Sequence, residues 1–220
     1  VKDLLSITTV SDSVWNCWIK ENAKKHFIET GTKYGYTTRI ASMVFQSVNT
    51  IEIDKLYHNR AISWNISKDG PPDAFQYWVA RCVERLGPPN VQNQHIFDAF
   101  LDKAKVMMDK KIKYHLGDSV KILPIILSDI QENATFFFDA HQSGDIKGID
   151  VDVPLLEELN IIREKRKNNN DIIIIDDVRL FGSNDNEDWS NITIENIRES
   201  IGISNIKEEH VLDDRLILLV

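Results

Sequence analysis

The stretch Ile172-Ile173-Ile174-Ile175-Asp176-Asp177 decides the fold class of this 220-residue chain. Four consecutive β-branched residues without polar alternation are typical of a strand that is buried on both faces, as in a parallel sheet covered by helices. Three other apolar runs also end in an acid: Phe27-Ile28-Glu29, Val48-Asn49-Thr50-Ile51-Glu52 and Phe136-Phe137-Phe138-Asp139. The pattern predicts an α/β fold whose acids gather at the edge where open α/β sheets bind ligands.

Helical and strand segments alternate along most of the chain. The pattern predicts strands at residues 26–30, 48–53, 112–116, 135–138 and 171–175. It predicts helices at residues 14–25, 37–46, 56–63, 96–110, 120–128, 154–167 and 193–201. The last segment, 206–220, is predicted to form a β-hairpin around Asp213-Asp214. The predicted fold is a Rossmann-like, doubly wound, mainly parallel seven-stranded sheet with a C-terminal antiparallel hairpin.

The length of the chain suits a single domain, residues 1–220, with one inserted helical segment at about 64–94. Two Pro-Pro turns, Asp69-Gly70-Pro71-Pro72 and Gly87-Pro88-Pro89-Asn90, bracket a predicted helix in this insertion. Its aromatic residues are Trp64, Phe75, Tyr77 and Trp78. They form either a lid or partner surface, or simply the packing that holds the insertion on the main domain.

The net charge of −8 argues against general binding to nucleic acids or anionic membranes, so we expect neither as a partner. A basic run at the end of the helix predicted at 154–167 is interpreted as a solvated helix end; it contains Arg163, Lys165, Arg166 and Lys167. Two cysteines, Cys17 and Cys82, are compatible with a reducing compartment, and we expect a cytoplasmic protein. The chain begins at Val1, which would suit a trimmed protein or one module of a longer polypeptide.

Three segments near predicted strand ends suggest a nucleoside site. The turn Glu29-Thr30-Gly31-Thr32-Lys33-Tyr34-Gly35 joins a strand to a helix N-terminus and can bring main chain close to a ligand, although it lacks the G-x-G-x-x-G spacing. Glu52 either accepts hydrogen bonds from ribose hydroxyls or is a solvated acid. Asp118 either accepts from the amine of adenine or caps a helix, and both roles can coexist.

Three further acids suggest a metal site. Asp176 and Asp177 are adjacent and follow one buried strand, and Asp139 follows the neighbouring strand. Buried carboxylates that repel one another are costly unless a cation offsets them, and Mg²⁺ or Ca²⁺ prefers such ligands. His141 lies two residues beyond Asp139 and could act as a general base. The alternative is that these acids cap helices or pair with Arg179.

The order of these motifs resembles that of class I S-adenosylmethionine-dependent methyltransferases. The resemblance is closer to metal-dependent sugar O-methyltransferases of the macrocin and novobiocin type. It spans about residues 26–182 and is carried by FIETGTKYGYTT, VNTIEID, IKYHLGDSVKILP, FFFDAHQSGD with VPLLEEL, and IIIIDDVRLFG. The insertion at 64–94 has no counterpart that aligns.

The resemblance implies a role for each motif. The methionine end of S-adenosylmethionine would be lined by Glu29 and Gly31. These two residues belong to the turn that also includes Thr30, Thr32 and Gly35. Glu52 would hold the ribose, Asp118 and Ser119 would border adenine, and Asp139 would also contact the cofactor. The Mg²⁺ ligands, or those of another divalent cation, would be Asp139, Asp176 and Asp177. The catalytic residues would be His141, as the base, and Asp139.

The activity expected from this resemblance is O-methylation of a sugar hydroxyl in a glycan or glycoside, with the chain acting alone or as part of a larger glycan-building polypeptide. Vicinal hydroxyls that chelate the cation would equally suit a catechol-type phenol. Two other classes stay open: a metal-dependent phosphohydrolase, and a non-catalytic module that uses the insertion to bind a partner. The acceptor and the oligomeric state are not determined by the sequence.

Overall fold

The computed structural model describes residues 26–63, 95, 109–141, 153–167, 169–184, 187–212 and 214–220. The predicted helix 14–25, the insertion at 64–94 and most of the predicted helix 96–110 lie outside the described residues. Among the residues that are described, no helix is long and apolar enough to cross a lipid bilayer.

The strands are β1 (His26–Thr30), β2 (Ser47–Glu52), β3 (Ile112–Leu116), β4 (Ala134–Phe138), β5 (Ile172–Ile175), β6 (Glu208–Leu212) and β7 (Arg215–Leu219). The α-helices are α1 (Tyr36–Val44), α2 (Lys55–Ser63), α3 (Ser119–Asp129), α4 (Leu155–Lys165) and α5 (Ile194–Ile201). Short 3₁₀ helices lie at Val178–Leu180 and Ile203–Asn205.

The strands form one seven-stranded sheet in the order β3-β2-β1-β4-β5-β7-β6. Strands β1 to β5 are parallel, β7 is antiparallel to β5, and β6 is antiparallel to β7. The Rossmann-like fold with a C-terminal antiparallel hairpin is therefore confirmed. Strand order reverses between β1 and β4, and open α/β sheets bind ligands beside such a switch point.

The central strands carry unbroken apolar runs because both faces of the sheet are covered. Ile28, Phe136 and Ile173 belong to a buried core that includes residues of α3, α4 and α5. The alternate residues Phe27 and Phe137 face the opposite side, where the rings of Phe27 and Phe45 are 5.0 Å apart. Neighbouring side chains of a strand point to opposite faces, so each central strand needs apolar residues at almost every position.

A buried ion pair joins three elements at the amino edge of the sheet. Asp171 accepts hydrogen bonds from Arg166 Nε and Nη2 at 2.8 Å and from the main-chain N–H of Ala134 at 2.7 Å. Arg166 also donates to the carbonyls of Ile130 and Glu132 at 2.5 and 2.6 Å. The expectation that the basic run is entirely solvated is wrong for Arg166, which is 6% exposed. Its guanidinium is buried because it binds the carboxylate that precedes β5 and two carbonyl groups that precede β4.

We predict that Asp171→Asn lowers the free energy of unfolding by about 3–5 kcal/mol, because it leaves the buried Arg166 charge without a counter-ion. Urea denaturation would measure the change. The exposed Glu164→Gln on α4 is the matched control and should change stability by less than about 0.5 kcal/mol. A loss in Asp171→Asn as small as that of the control would contradict the role of the pair.

Candidate functional site

The carboxyl ends of the parallel strands meet along one edge, and main-chain hydrogen bonds continue the ladder into the loops that follow. The N–H of Asp139 donates to the carbonyl of Thr30 at 3.1 Å, and the N–H of Asp176 donates to that of Phe138 at 3.0 Å. The residues after β1, β4 and β5 therefore lie side by side. The acids that the sequence places at strand ends do lie along this edge.

Gly31 is required by its contact with the protein itself. Its φ is +88°, and a Cβ at this position would lie 2.3 Å from the carbonyl oxygen of Asp139. A side chain here would force apart the loops after β1 and β4. Contact of this glycine turn with a ligand stays a prediction; in this structure the main chain of Asp139 closely approaches Gly31.

Glu29 is a buried carboxyl held by hydroxyl groups. Its Oε2 accepts hydrogen bonds from the hydroxyl of Thr38 on α1 and, at 2.7 Å, from that of Thr50 on β2. The hydroxyls of Thr50 and Thr32 are 2.5 Å apart. Burial raises the pKa of Glu29 to about 8, the two hydroxyl hydrogen bonds oppose this rise, and nearby carboxylates add to it. Glu29 is therefore mostly protonated at neutral pH.

Glu52 is only 7% exposed, so it is not a solvated strand-end acid. Its Oε2 accepts from the main-chain N–H of Lys33 at 2.7 Å, and Oε1 accepts from that of Asp54 at 2.9 Å. These bonds fix the turn after β1 against the end of β2. Each oxygen keeps a second lone pair that could accept from a ribose hydroxyl, a role that stays a prediction.

Asp118 is the N-cap of α3, as the sequence suggested. Its side chain accepts from the N–H of Val120 at 3.0 Å and lies 2.9 Å from the ammonium of Lys121. Ser119 is buried in the first turn of the same helix. Contact of these two residues with adenine stays a prediction.

Two acids and a histidine form the one cluster of possible metal ligands within the described part of the chain. One ligand atom each from Asp139, His141 and Asp177 lie within 4.8 Å of one another. The Nε2 atom of His141 is 3.5 Å from a carboxylate oxygen of Asp139 and 3.5 Å from one of Asp177. Two strand-end acids and the predicted base thus converge on one point.

Asp176 lies on the same edge but faces a different partner. Its carboxylate is 3.2 Å from Nε of Arg215, and Nη2 of Arg215 donates to it at 3.3 Å. Burial raises the pKa of Asp176, Arg215 opposes that rise, and Asp139 and Asp177 add to it. Its role as a third metal ligand stays a prediction.

Asp177 uses its two oxygens differently. Oδ2 faces His141, whereas Oδ1 is 2.5 Å from a guanidinium nitrogen of Arg179, which also binds Asp214. The backbone of Asp177 is left-handed, with φ +62°. The pairing with Arg179, raised as an alternative to metal binding, is present and leaves one oxygen directed at the cluster.

Glu187 lies beside the cluster and was not predicted from the sequence. Its carboxylate is 2.9 Å from Nδ1 of His141 and accepts from the indole N–H of Trp189 at 3.0 Å. No apolar strand precedes Glu187, so no sequence pattern indicates it. Hydrogen bonding to Asp139 raises the pKa of His141 to about 9; burial opposes this rise, and Glu187 adds to it.

The donor set fits a divalent cation. Two carboxylates and an imidazole lie close enough to bind one ion, and in this structure the protonated ring of His141 is the positive charge between the acids. The edge also fits a nucleoside cofactor, because it offers carboxylates to hydroxyl and amine groups.

No protein-family model matches this chain, and no curated protein matches it in sequence. Solved structures match its fold. The O-methyltransferase TomG of Streptomyces achromogenes, involved in tomaymycin synthesis and solved with SAM, aligns with a TM-score of 0.52 at 14% identity, over 100% of this chain and 90% of that one.

Two other structures give similar values. A Staphylococcus aureus protein provisionally assigned as a caffeoyl-CoA O-methyltransferase aligns with a TM-score of 0.51 at 11% identity, over 99% of this chain and 88% of its own. A Klebsiella pneumoniae protein provisionally assigned as an O-methyltransferase aligns at 0.50 and 13% identity, over 99% and 86%. This chain therefore has the fold of the class I SAM-dependent O-methyltransferases.

We predict that Glu29→Gln changes the pH dependence of stability. The pKa of Glu29 is about 8 in the folded protein against 4.5 for an ordinary Glu, so the unfolded chain ionises first and the folded state loses relative stability as pH rises between these values. Gln does not ionise, so the variant avoids this loss. The free energy of unfolding of Glu29→Gln should therefore rise relative to that of the wild type between pH 5 and pH 8. Urea unfolding at each pH would measure it, with Glu164→Gln as control; parallel profiles for the wild type and Glu29→Gln would disprove the assignment.

Proposed function

We propose that this chain is an S-adenosylmethionine-dependent O-methyltransferase that uses a divalent cation, Mg²⁺ in the first instance, and acts on a sugar hydroxyl. The observation that carries the proposal is the convergence of Asp139, His141 and Asp177 beside the switch point of a methyltransferase-type sheet. The acceptor class comes from the sequence resemblance. The cofactor is supported by the fold and by the acids along the edge.

Different residues along this edge would bind the ribose, the adenine and the methionine portions of the cofactor. S-adenosylmethionine supplies a methyl group already activated as a sulfonium. Glu52 would accept from the ribose hydroxyls, Asp118 with Ser119 would border adenine, and Glu29 and Gly31 would shape the pocket for the methionine end. The work left to the protein is alignment of a hydroxyl oxygen with the methyl carbon, which supplies much of the rate in such transfers.

Asp139 and Asp177, with Asp176 on the same edge, would hold the cation. A divalent ion bound there supplies a Lewis acid that lowers the pKa of a substrate hydroxyl. The positive charge would also lower the pKa of His141 from its ion-free value of about 9, so that Nε2 can accept a proton at neutral pH. Glu187 orients the ring through Nδ1.

His141 would then act as the general base and not as a ligand of the cation, since Nδ1 faces Glu187 and Nε2 lies 3.5 Å from each of the two carboxylates. A positioned base of this kind contributes about 10²–10⁴-fold to the rate. Its ring sits 5.7 Å from that of Trp189, which limits the orientations it can adopt.

Methylation of a catechol-type phenol is the second candidate. Two adjacent hydroxyls of either a sugar or a catechol would suit the same cluster, and the fold likeness includes a protein provisionally assigned as a caffeoyl-CoA O-methyltransferase. Methyl transfer to free catechols, with none to glycosides, would select this candidate. Release of phosphate from a generic ester would instead indicate a phosphohydrolase.

We expect S-adenosylhomocysteine to stabilise the protein. At 100 times its dissociation constant a ligand adds about 2.7 kcal/mol, which corresponds to a rise in Tm of roughly 5–10 °C for a domain of this size. NAD is the control and should give no shift. A chelator should stop methyl transfer but preserve most of the shift; absence of any shift with S-adenosylhomocysteine would overturn the proposal.

We predict that Asp177→Asn abolishes methyl transfer and weakens Mn²⁺ binding at least about 10-fold, because it removes a charged ligand, while S-adenosylhomocysteine binding stays within a few-fold of wild type. Asp176→Asn should also abolish transfer, because Asp176 is proposed as the third ligand. Mn²⁺ binding can be followed by electron paramagnetic resonance. The control is Asp129→Asn, an exposed residue at the end of α3. Unchanged Mn²⁺ affinity in Asp177→Asn would refute the metal site.

A further inference from the structure

Glu158 is a buried acid that none of the roles above uses. It lies in the first turn of α4 and is 1% exposed. Its Oε1 atom has no hydrogen-bond partner among the described residues. A buried acceptor left unsatisfied costs about 1–3 kcal/mol, and more when it is charged, so native proteins keep few of them.

Glu158 lines a cleft next to the cluster. Asp139 and Asp176 line the same cleft on one side, and Val153, Leu155 and Trp189 line it elsewhere. The helix α4 thus brings an acid to the carboxyl edge from the face opposite to Glu29, which is bound by Thr38 of α1. Glu158 does not follow an apolar strand, so the strand-end pattern in the sequence does not predict it.

A positively charged hydrogen-bond donor would suit the surroundings of Glu158. Burial raises the pKa of Glu158 to about 7, and the nearby hydroxyls of Ser119 and Thr30 oppose the rise. The carboxylates of Asp139 and Asp176 in the cleft accept hydrogen bonds when they are ionised. The other lining residues, Val153, Leu155 and Trp189, are mostly apolar. A ligand group that satisfies this setting carries a cationic donor on a short apolar chain.

We propose that Glu158 binds the α-ammonium group at the methionine end of the cofactor, an inference that rests on the proposed function. Two observations support this assignment, the shared cleft lining and the unsatisfied Oε1 atom. Glu158 lies near Thr30, whose loop is expected to hold that end of the cofactor, and it lines one cleft with Asp139. Its free Oε1 can accept from an ammonium. The methylenes of the methionine chain would contact the apolar wall of the cleft.

Two ligands separate this role from a structural one. S-adenosylhomocysteine carries the amino-acid end, whereas 5′-methylthioadenosine has the same nucleoside without it. Isothermal titration calorimetry of both ligands would be compared for wild type, Glu158→Gln and Glu157→Gln. Glu157 is the neighbouring acid, it is exposed, and the same substitution there serves as the matched control.

We expect Glu158→Gln to weaken S-adenosylhomocysteine binding by about 10- to 100-fold, the range for loss of a hydrogen bond to a charged group. Binding of 5′-methylthioadenosine should change less than about 2-fold, and Glu157→Gln should alter neither affinity. If Glu158→Gln does not fold, Glu158→Met is the second variant, because apolar replacement of a buried acid is often tolerated.

Each other outcome overturns the inference in a recognisable way. Equal weakening of both ligands by Glu158→Gln would show that Glu158 only supports the fold of the pocket. Unchanged binding of both ligands would show that its carboxyl faces no part of the cofactor. Failure of the wild type to bind S-adenosylhomocysteine would overturn the proposed function itself, together with this inference.

Discussion

The close approach of Gly31 to the main chain of Asp139 is the constraint on which the candidate site depends. The two residues follow β1 and β4, the strands between which the order of the sheet reverses. There is no room for a Cβ between them, since it would lie 2.3 Å from a carbonyl oxygen. The contact packs the turn between β1 and α1 against the loop that carries Asp139 and His141. The loop expected to bind the cofactor and the acidic cluster are therefore held next to each other.

Electrostatics follow from that geometry. Parallel strands bring their terminal acids to one edge, and burial then makes each negative charge expensive. The structure offsets the cost in three ways. Arg215 and Arg179 pair with Asp176 and Asp177, His141 gains a proton between two carboxylates, and the pKa of buried Glu29 rises. A cationic cofactor and a divalent ion would suit this excess of negative charge.

Much of the fold was predictable because local patterns specify it. Strands β1 and β3 begin and end at the predicted residues, and the unbroken Ile172–Ile175 run identifies β5 as buried on both faces. Asp118 had two open interpretations, a helix N-cap or an adenine contact, and the structure shows that it caps α3. The burial of Arg166 was missed because the carbonyls and the carboxylate that bind it come from residues 130, 132 and 171, which local charge patterns do not relate.

The sequence by itself determined the α/β class, the strand-end acids and the pairing of β6 with β7, because period-two and period-3.6 patterns and turn residues are local properties. Tertiary structure alone decided which acids converge. It directed Asp177 toward His141 and Asp176 toward Arg215, brought Glu187 to the other side of the imidazole, and buried Glu158 beside the cleft. These contacts join residues far apart in the chain, and their geometry depends on packing that no local pattern encodes.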